Sequence, residues 1–277
     1  MEVKYTPNYI DYKTQSTEEL RKSFLIDNLF ANSRIEMVYT DADRAIVGTA
    51  VPATASLKLE ASRKELASEY FSERREIGII NVGSKGNIIA DGEEYQLSYK
   101  DCLYIAKETK DIRFSSENPE EPAKFYFVSY PSHNKFKTQL LKFNEAESSR
   151  LGSVTEANKR TIHKFIHAGG IKSSQLVMGL TELDEGSTWN TMPSHTHQRR
   201  TEIYMYFNLP KNSFAVHLMG EPGNTRHIIV RNNEAVISPS WSIHSGAGTQ
   251  SYSFIWAMGG ENQAFDDMDA VPMDQLK

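Results

Sequence analysis

The sequence predicts a mainly β protein built from two β-barrel domains in tandem, with a few short helices. Most apolar stretches are short, rich in β-branched and aromatic residues, and separated by turn residues. They recur at the spacing expected of a sandwich or barrel. The two halves of the chain also resemble each other, which indicates that each half forms one such unit.

Composition limits the functions that the chain can serve. Of its 277 residues, 39% are hydrophobic and 24% are charged, as in an ordinary soluble globular protein. The formal net charge of -5 leaves no uniformly basic surface, so we expect no nucleic-acid partner. No stretch approaches the roughly 20 apolar residues that a membrane-spanning helix requires, so we expect no membrane role. The net charge does not exclude an anionic small-molecule ligand, because a few local arginines suffice to bind one.

The single cysteine, Cys102, cannot form an internal disulfide, and no apolar signal segment follows the first residues. We therefore expect the protein in the cytoplasm. Cys102 lies beside Leu103 and Tyr104 in an apolar stretch, which favours a small buried residue over a reactive thiol.

Two helices are predicted in the first part of the chain. Residues 16–30 begin with Ser16 and Glu19 in the spacing of a capping box and continue with Leu20 and Phe24 at helical intervals. Residues 61–71 are a second, shorter candidate.

The other apolar stretches are predicted strands. Asp91 and Gly92 form a two-residue hairpin turn within one of them. Residues 142–160 are polar and nearly free of large apolar side chains, so the domains are predicted at residues 1–148 and 149–277. The predicted strands cover residues 76–83, 86–97, 122–130, 171–183, 201–209, 213–222, 226–238 and 251–259.

An internal similarity relates the two halves. Aligning their Arg-Arg pairs places residues 70–82 against residues 195–207, with one extra residue before Glu202. Residues 101–110 then match residues 235–244 without a gap. Three histidines of the second half have no equivalent in the first, where their positions are taken by Tyr70, Ser72 and Lys110. We therefore expect that only the second domain holds a metal ion.

Those three histidines and one glutamate form a metal-ligand pattern. His195 and His197 are two residues apart, so both imidazoles point to one face of an extended strand. Alone, such a pair more often marks ordinary polar residues, but Glu202 and His244 add a carboxylate and a third imidazole. This set suits Zn²⁺, Fe²⁺, Mn²⁺, Co²⁺ or Ni²⁺ better than Mg²⁺ or Ca²⁺.

The spacing of these residues is that of the two cupin motifs, and in detail the chain resembles the 5-keto-4-deoxyuronate isomerase family of the cupin superfamily. Trp241 and Gly248 depart from the general cupin pattern, which more often has Gly and Asn at these positions. The resemblance covers most of the chain and is carried by residues 43–48, 73–83, 159–165, 178–183, 189–207, 235–246 and 261–269.

The resemblance implies two cupin-like (jelly-roll) β-barrel domains and a homo-oligomer, expected to be a hexamer. It also implies one zinc ion per chain, held by His195, His197, Glu202 and His244. The implied reaction converts 5-dehydro-4-deoxy-D-glucuronate to 3-deoxy-D-glycero-2,5-hexodiulosonate during the degradation of pectin and related uronates.

Such an aldose–ketose conversion needs an electrophile that stabilises an enediolate and a group that moves a proton between two carbons. A divalent ion supplies the electrophile. The proton-transfer group is left open between four candidates, which are Tyr204, Tyr206, His217 and Glu261.

Arg199 and Arg200 are candidates for binding the substrate carboxylate, because a guanidinium matches a carboxylate in shape and charge. Neighbouring residues of a strand face opposite sides, so at most one of them is expected to point at the metal. A salt bridge between domains or subunits is an equal alternative, and Arg74 and Arg75 at the matching positions favour it.

Two other functions remain compatible with the motifs. A cupin dioxygenase holds iron with a similar ligand set, and only the longer family-like stretches argue against it. A non-catalytic binding module is the third alternative, against which the intact ligand set argues.

Overall fold

The mainly β prediction is confirmed by the computed structural model, which describes residues 1–264 and 266–277. Residue 265, inside the family-like stretch 261–269, lies outside the described residues. Two helices occur in the described part, α1 (Thr17–Phe24) and α2 (Arg63–Leu66), and neither has the length or apolar character needed to cross a bilayer. Short 3-10 turns occupy Asp11–Thr14, Ala42–Arg44, Phe143–Glu145 and Met273–Gln275.

The strands fall into two sets along the chain. The first set is β1 (Glu2–Lys4), β2 (Leu25–Ile26), β3 (Arg34–Thr40), β4 (Ile46–Val51), β5 (Leu57–Lys58), β6 (Arg75–Asn81), β7 (Gly86–Ala90), β8 (Glu93–Leu97), β9 (Cys102–Ile105), β10 (Ile112–Ser116), β11 (Phe125–Pro131) and β12 (Gln139–Leu141). The second set is β13 (Glu147–Leu151), β14 (Arg160–Ile166), β15 (Val177–Leu183), β16 (Trp189–Asn190), β17 (His195–Thr196), β18 (Arg200–Phe207), β19 (Ala215–Glu221), β20 (Asn224–Val230), β21 (Glu234–Ser238), β22 (Ser245–Gly248), β23 (Ser253–Gly260) and β24 (Asp269–Ala270).

The sheets of the two halves have matching strand orders. In the first half the order is β1-β3-β4-β11-β6-β9-β12 in a seven-stranded sheet and β5-β10-β7-β8 in a four-stranded one. In the second half it is β13-β14-β15-β23-β18-β21-β2 and β16-β22-β19-β20, while β17 and β24 form a separate ribbon. The five inner strands of the larger sheets and all four strands of the smaller sheets correspond, which is the arrangement expected of an internal duplication. The edge strands differ, because β1 pairs with β3 in parallel whereas β13 pairs with β14 antiparallel.

Three apolar clusters stack the sheets in layers. In the first half, Phe127 of β11 and Phe114 of β10 belong to a cluster between the seven-stranded and four-stranded sheets. A second cluster fills the equivalent space of the other half. The third joins the two halves, because Val128 packs in the same cluster as Met178 and Ile255. Strands β6 and β18 are consequently buried along their whole length, which explains their nearly continuous apolar sequences. The description of each half as a closed barrel stays a prediction.

Helix α1 begins where the sequence predicts and ends earlier. The Ser16 hydroxyl accepts a hydrogen bond from the Glu19 backbone N–H, and the Glu19 carboxylate accepts one from the Ser16 N–H. The predicted end at residue 30 was wrong, because Leu25 and Ile26 pair with Val236 and Ala235 of β21 instead of continuing the helix. This segment therefore joins the sheet of the second half, although it precedes the predicted division between residues 148 and 149.

Other local predictions have mixed outcomes. The hairpin of β7 and β8 is confirmed, with Asp91 (φ 49°) and Gly92 (φ 88°) both in the left-handed region that a type I′ turn requires. The second predicted helix is reduced to the single turn of α2, which a left-handed Ala67 (φ 50°) ends. The stretch at residues 226–238 is divided into β20 and β21 by a turn that contains Asn233 (φ 68°).

Candidate metal centre and substrate cavity

Three separate segments bring the predicted ligands together. Glu202 lies near the start of β18, opposite Met258 of β23 and Ser238 of β21. His195 belongs to β17, which pairs with β24. His197 follows this short strand, and His244 immediately precedes β22. The site therefore forms only when β18, the ribbon and the loop after β21 are assembled.

The four donor atoms form a closed ring. The Nε2 atom of His195 lies 3.1 Å from Nε2 of His197 and 3.0 Å from Nε2 of His244. Glu202 Oε2 completes the ring, at 3.0 Å from His197 Nε2 and 2.8 Å from His244 Nε2. All four donor atoms lie within 4.8 Å of one another.

This ring fits a divalent ion. Four atoms whose neighbours are about 3 Å apart can all lie about 2 Å from a common centre, which is close to a zinc–imidazole bond length. Three imidazoles and one carboxylate are also ligands that first-row transition metals accept. The four residues could therefore hold one metal ion, and the donor set does not distinguish zinc from iron, manganese, cobalt or nickel.

The surroundings of His195 and Glu202 favour the protonation states that metal binding needs. Desolvation, with the neighbouring His244, lowers the pKa of His195 to about 2, so this imidazole is neutral at physiological pH. Burial alone would raise the pKa of Glu202, but His244 and His197 outweigh it and hold the pKa well below its usual value. A neutral imidazole and an ionised carboxylate are the ligand forms.

A neighbouring carbonyl orients one ligand. His197 Nδ1 lies 2.7 Å from the Asp267 backbone oxygen, and Nη2 of Arg200 donates to the same oxygen at 2.8 Å. The carbonyl is an acceptor, so the imidazole carries its proton on Nδ1 and leaves the Nε2 lone pair free to face the ring of donors.

The metal centre opens into a cavity of about 260 Å³. His195, His197 and Glu202 line its inner end, while Trp256 and Phe254 contribute an aromatic wall. The remaining lining residues are Leu151, Arg160, Ile162, Thr181, Thr191, Pro193, Tyr204, Met258 and Met268. A largely apolar cavity with a few convergent polar groups is typical of a small-molecule site.

The four candidate proton-transfer residues lie in different places. Tyr204 lines the cavity, and its hydroxyl shares a hydrogen bond of 2.9 Å with the Thr191 hydroxyl. Tyr206 and His217 are buried beside the site and pair with each other, with 2.8 Å between the Tyr206 hydroxyl and His217 Nδ1. Glu261 is exposed, and its backbone N–H donates to the Arg199 carbonyl. Of the four, Tyr204 is the one that lines the described cavity.

The two candidate carboxylate-binding arginines have partners within the protein. Arg199 forms an ion pair with Asp267 and a second, at 3.4 Å, with Asp269. Arg200 is 1% exposed and donates to the backbone oxygens of Ala264, at 2.7 Å, and of Asp267. Both arginines thus fix the segment that carries the Asp267 carbonyl against the metal ligands.

Sequence reasoning missed Arg160 and Thr181, which line the cavity from β14 and β15. Neither residue belongs to the motif at residues 194–207. Both residues lie in stretches that carry the family resemblance, 159–165 and 178–183, but these stretches assign them no role. Alternation along residues 160–162 places Arg160 and Ile162 on one face of a strand.

The equivalent positions of the first half carry other groups. The Ser72 hydroxyl donates to the Thr109 backbone oxygen, and Glu76 takes the aligned position of Glu202. Glu76 is fully buried and accepts hydrogen bonds from the backbone N–H groups of Ser174, Gln175 and Leu176. At this position the first half thus makes a contact with the second half.

Comparison with known proteins identifies the family. The model of the KduI/IolB family matches residues 25–273. The chain belongs to the KduI/IolB family. Among relatives, this KduI/IolB chain is 54% identical over 277 residues to the 4-deoxy-L-threo-5-hexosulose-uronate ketol-isomerase of Caldicellulosiruptor bescii. It is 50% identical to the protein of that name from Bacillus subtilis, and both alignments cover 100% of each chain.

Solved structures share the fold of this KduI/IolB protein at low sequence identity. An IolB-like protein from Salmonella typhimurium superposes with a TM-score of 0.69 at 15% identity, over 87% of this chain and 94% of the other. The oxalate decarboxylase of Lactobacillus farciminis gives a TM-score of 0.56 at 9% identity, over 86% and 88% of the two chains. These structures share the fold of this chain, and its many strands confirm the predicted mainly β class. The two barrel domains in tandem stay a prediction.

Proposed function

We propose that this protein is a zinc-dependent aldose–ketose isomerase. Its substrate is 5-dehydro-4-deoxy-D-glucuronate and its product is 3-deoxy-D-glycero-2,5-hexodiulosonate. The observation that carries the proposal is the ring of His195, His197, Glu202 and His244, three of which line a cavity large enough for a small sugar acid. Full-length relatives that bear the name of this ketol-isomerase support the same reaction.

Different residues of the chain would hold the metal ion, donate a hydrogen bond to the substrate and exclude water. A divalent ion at the four ligands would act as a Lewis acid toward the substrate oxygens at C1 and C2. The Tyr204 hydroxyl faces the same cavity and can donate a hydrogen bond to one of these oxygens. The aromatic wall of Phe254 and Trp256 removes water from one side of the sugar, which strengthens the polar contacts inside.

Arg200 is proposed as a positioning residue rather than a substrate ligand. Its guanidinium fixes the Asp267 carbonyl, which in turn holds the His197 ring in its ligand tautomer. Arg199 strengthens the same segment from the surface through its ion pairs.

The test of the function is turnover of 5-dehydro-4-deoxy-D-glucuronate by purified protein in D₂O, followed by NMR under anaerobic conditions. We expect the hexodiulosonate to form with deuterium on the carbon that is C1 in the substrate and C6 in the product, because an enediolate exposes the migrating proton to a group that exchanges with solvent. Absence of product would refute the isomerase. Complete transfer of the C2 hydrogen to C1 at all times would instead indicate hydride transfer.

The same experiment separates the second candidate function. A dioxygenase consumes oxygen, so its turnover stops without oxygen, whereas an isomerase is indifferent to it. No observation on this chain favours the dioxygenase over the isomerase, and the full-length relatives favour the isomerase.

The resemblance to the isomerase family carries the remaining parts of the proposal. These are one zinc ion per chain, a cytoplasmic homo-oligomer that is expected to be a hexamer, and a place in the degradation of pectin and related uronates. The small-molecule uronate is the proposed partner, and the net charge of -5 supports the absence of a nucleic-acid partner. Light scattering on the purified protein measures the oligomeric state directly.

A further inference from the structure

We propose that Arg160 binds the carboxylate of the substrate and thereby decides which end of the sugar faces the metal centre. This proposal rests on the proposed function and adds to it a residue outside the metal-ligand motif. It concerns the orientation of the substrate, which the metal ligands alone leave undetermined.

The register of the sheet puts Arg160 on the same face as the metal centre. Residues directly opposite one another in neighbouring strands share a face. Ile162 of β14 is opposite Thr181, Thr181 is opposite Phe254, and Phe254 is opposite Tyr206. Arg160 is two residues before Ile162, and Glu202 is four residues before Tyr206, so both side chains emerge on this face.

The guanidinium of Arg160 has no anionic partner among the described residues. Its Nη1 donates to the Asn158 backbone oxygen at 2.8 Å, and no carboxylate of the described chain lies within ion-pair distance. The Arg160 side chain is partly buried, and this burial lowers its pKa. A partly desolvated cation that lines a cavity favours an anionic ligand, since the ligand supplies the missing partner.

The other two arginines near the site, Arg199 and Arg200, differ from Arg160 in their partners and in their position relative to the cavity. Arg199 is already paired with Asp267 and Asp269, and Arg200 is buried against backbone oxygens. Neither faces the cavity, whereas Arg160 lines it. Arg160 thus combines position in the cavity with an unpaired positive charge.

This assignment gives the substrate a direction. With C6 against Arg160, the carbonyl at C1 and the hydroxyl at C2 extend along the Phe254 and Trp256 wall toward His195 and Glu202. A planar guanidinium can hold both carboxylate oxygens at once, which fixes the orientation as well as the position of the acid. A neutral sugar of the same size lacks this contact.

The kinetic test compares two substrates in two variants. The substrates are the uronate and its analogue in which the C6 carboxylate is reduced to an alcohol, and the variants are Arg160→Gln and Arg160→Lys. For Arg160→Gln we expect KM of the acid to rise by about 10- to 100-fold, the effect of losing a charged hydrogen bond, with a smaller change in kcat. The kcat/KM of the alcohol should change by less than about 3-fold, because the alcohol has no carboxylate to pair with the Arg160 guanidinium.

Arg160→Lys and a control variant test the role of geometry and charge. The lysine keeps the charge and loses the paired donors, so its KM should lie between those of the wild type and Arg160→Gln. Arg150→Gln removes an exposed arginine from the neighbouring strand β13 and should leave both substrates unaffected. Metal content and melting temperature, measured for each variant, show that the fold and the metal centre are retained.

A binding measurement needs no turnover. Saturation-transfer NMR with D-glucuronate and D-glucose should show preferential binding of the acid by the wild type and no preference by Arg160→Gln. Equal losses for the acid and the alcohol would show that Arg160 only supports the fold through Asn158, and an unchanged KM would also overturn the proposal. If the wild type turns over no uronate but still selects glucuronate through Arg160, the isomerase function fails and the carboxylate site stands.

Discussion

The Nε2 atom of His195 lies about 3 Å from the Nε2 atoms of His197 and His244, and such nitrogens repel unless a proton or a cation lies between them. Burial of His195, which lowers its pKa, disfavours the proton. At the scale of single residues, the site could therefore hold a cation, and the loss of one ligand is measured most directly as loss of metal.

We expect the wild type to bind about one metal ion per chain. The His195→Ala and His244→Ala variants should bind much less metal while remaining folded. Each variant removes one of four ligands and leaves the apolar clusters untouched. Elemental mass spectrometry measures the metal and circular dichroism the fold. His227→Ala, at an exposed position, is the control. Full metal occupancy of the double variant His195→Ala/His244→Ala would refute the site.

The buried His217 makes stability depend on pH. Burial lowers its pKa to about 3 from 6.5, so between these values the unfolded chain takes up a proton that the folded chain does not. The free energy of unfolding should therefore fall as the pH decreases from 6.5 toward 3, by up to about 1.4 kcal/mol per pH unit from this residue.

Urea unfolding at several pH values, compared between the wild type and His217→Gln, isolates this contribution. The variant should lose less stability on acidification, although its stability at neutral pH is lower because the Tyr206 hydroxyl loses its partner. His227→Gln should follow the wild-type curve. Parallel curves for His217→Gln and the wild type would contradict a neutral buried imidazole.

The proximity of the four candidate metal ligands could be predicted from the sequence because their spacing is local, with three of the four between residues 195 and 202. Arg160 could not, since it reaches the cavity only through the pairing of β14 with β15 and of β15 with β23. The partners of Arg199 and Arg200 could not be predicted either, because Asp267 and Ala264 are distant in sequence and no local pattern pairs them with the arginines.

At the scale of elements, turns were predictable where glycine and aspartate chemistry decides the backbone. Asp91 and Gly92 are sufficient to place the hairpin of β7 and β8. The end of α1 was not predictable, because Leu25 and Ile26 suit a helix locally and form a strand only by pairing with β21. Tertiary pairing overrides local preference there.

Glu76 links an element of the first half to a loop of the second. Its carboxylate accepts three backbone N–H groups and the Tyr104 hydroxyl, the last at 2.9 Å. Glu76→Gln replaces one accepting oxygen by an NH₂ group that faces these donors, so we expect a loss of about 3 kcal/mol in the free energy of unfolding.

Urea denaturation measures this loss, with the exposed Glu94→Gln on β8 as the matched control. The metal content of Glu76→Gln should equal that of the wild type, because Glu76 is not a ligand. Equal stability of the two variants would show that the buried carboxylate contributes little to the joining of the halves.

At the scale of the whole molecule, the two seven-stranded sheets share one apolar cluster. Val38, Val128 and Tyr126 from the first half pack in the same cluster as Met178 and Ile255 from the second. Separation of the halves would expose this surface to water, which is unfavourable in proportion to its apolar area.

We therefore expect the protein to unfold as a single cooperative unit. Differential scanning calorimetry should give one transition whose calorimetric and van't Hoff enthalpies agree, and added metal should shift that transition as a whole. Two separate transitions, of which only one shifts on addition of metal, would show that the two halves unfold independently despite their shared apolar cluster.

The crossing of α1 and β2 to the second half has a consequence for the order of events during synthesis. Leu25 and Phe24 leave the ribosome early, but their partners Val236 and Trp241 belong to almost the last part of the chain to be made. Until that part is synthesised, the apolar side of α1 lacks the residues against which it packs, so a chaperone or transient local contacts must shield it from water. The segment of α1 and β2 is thus synthesised early but packs on the second half only after nearly the whole chain has been made.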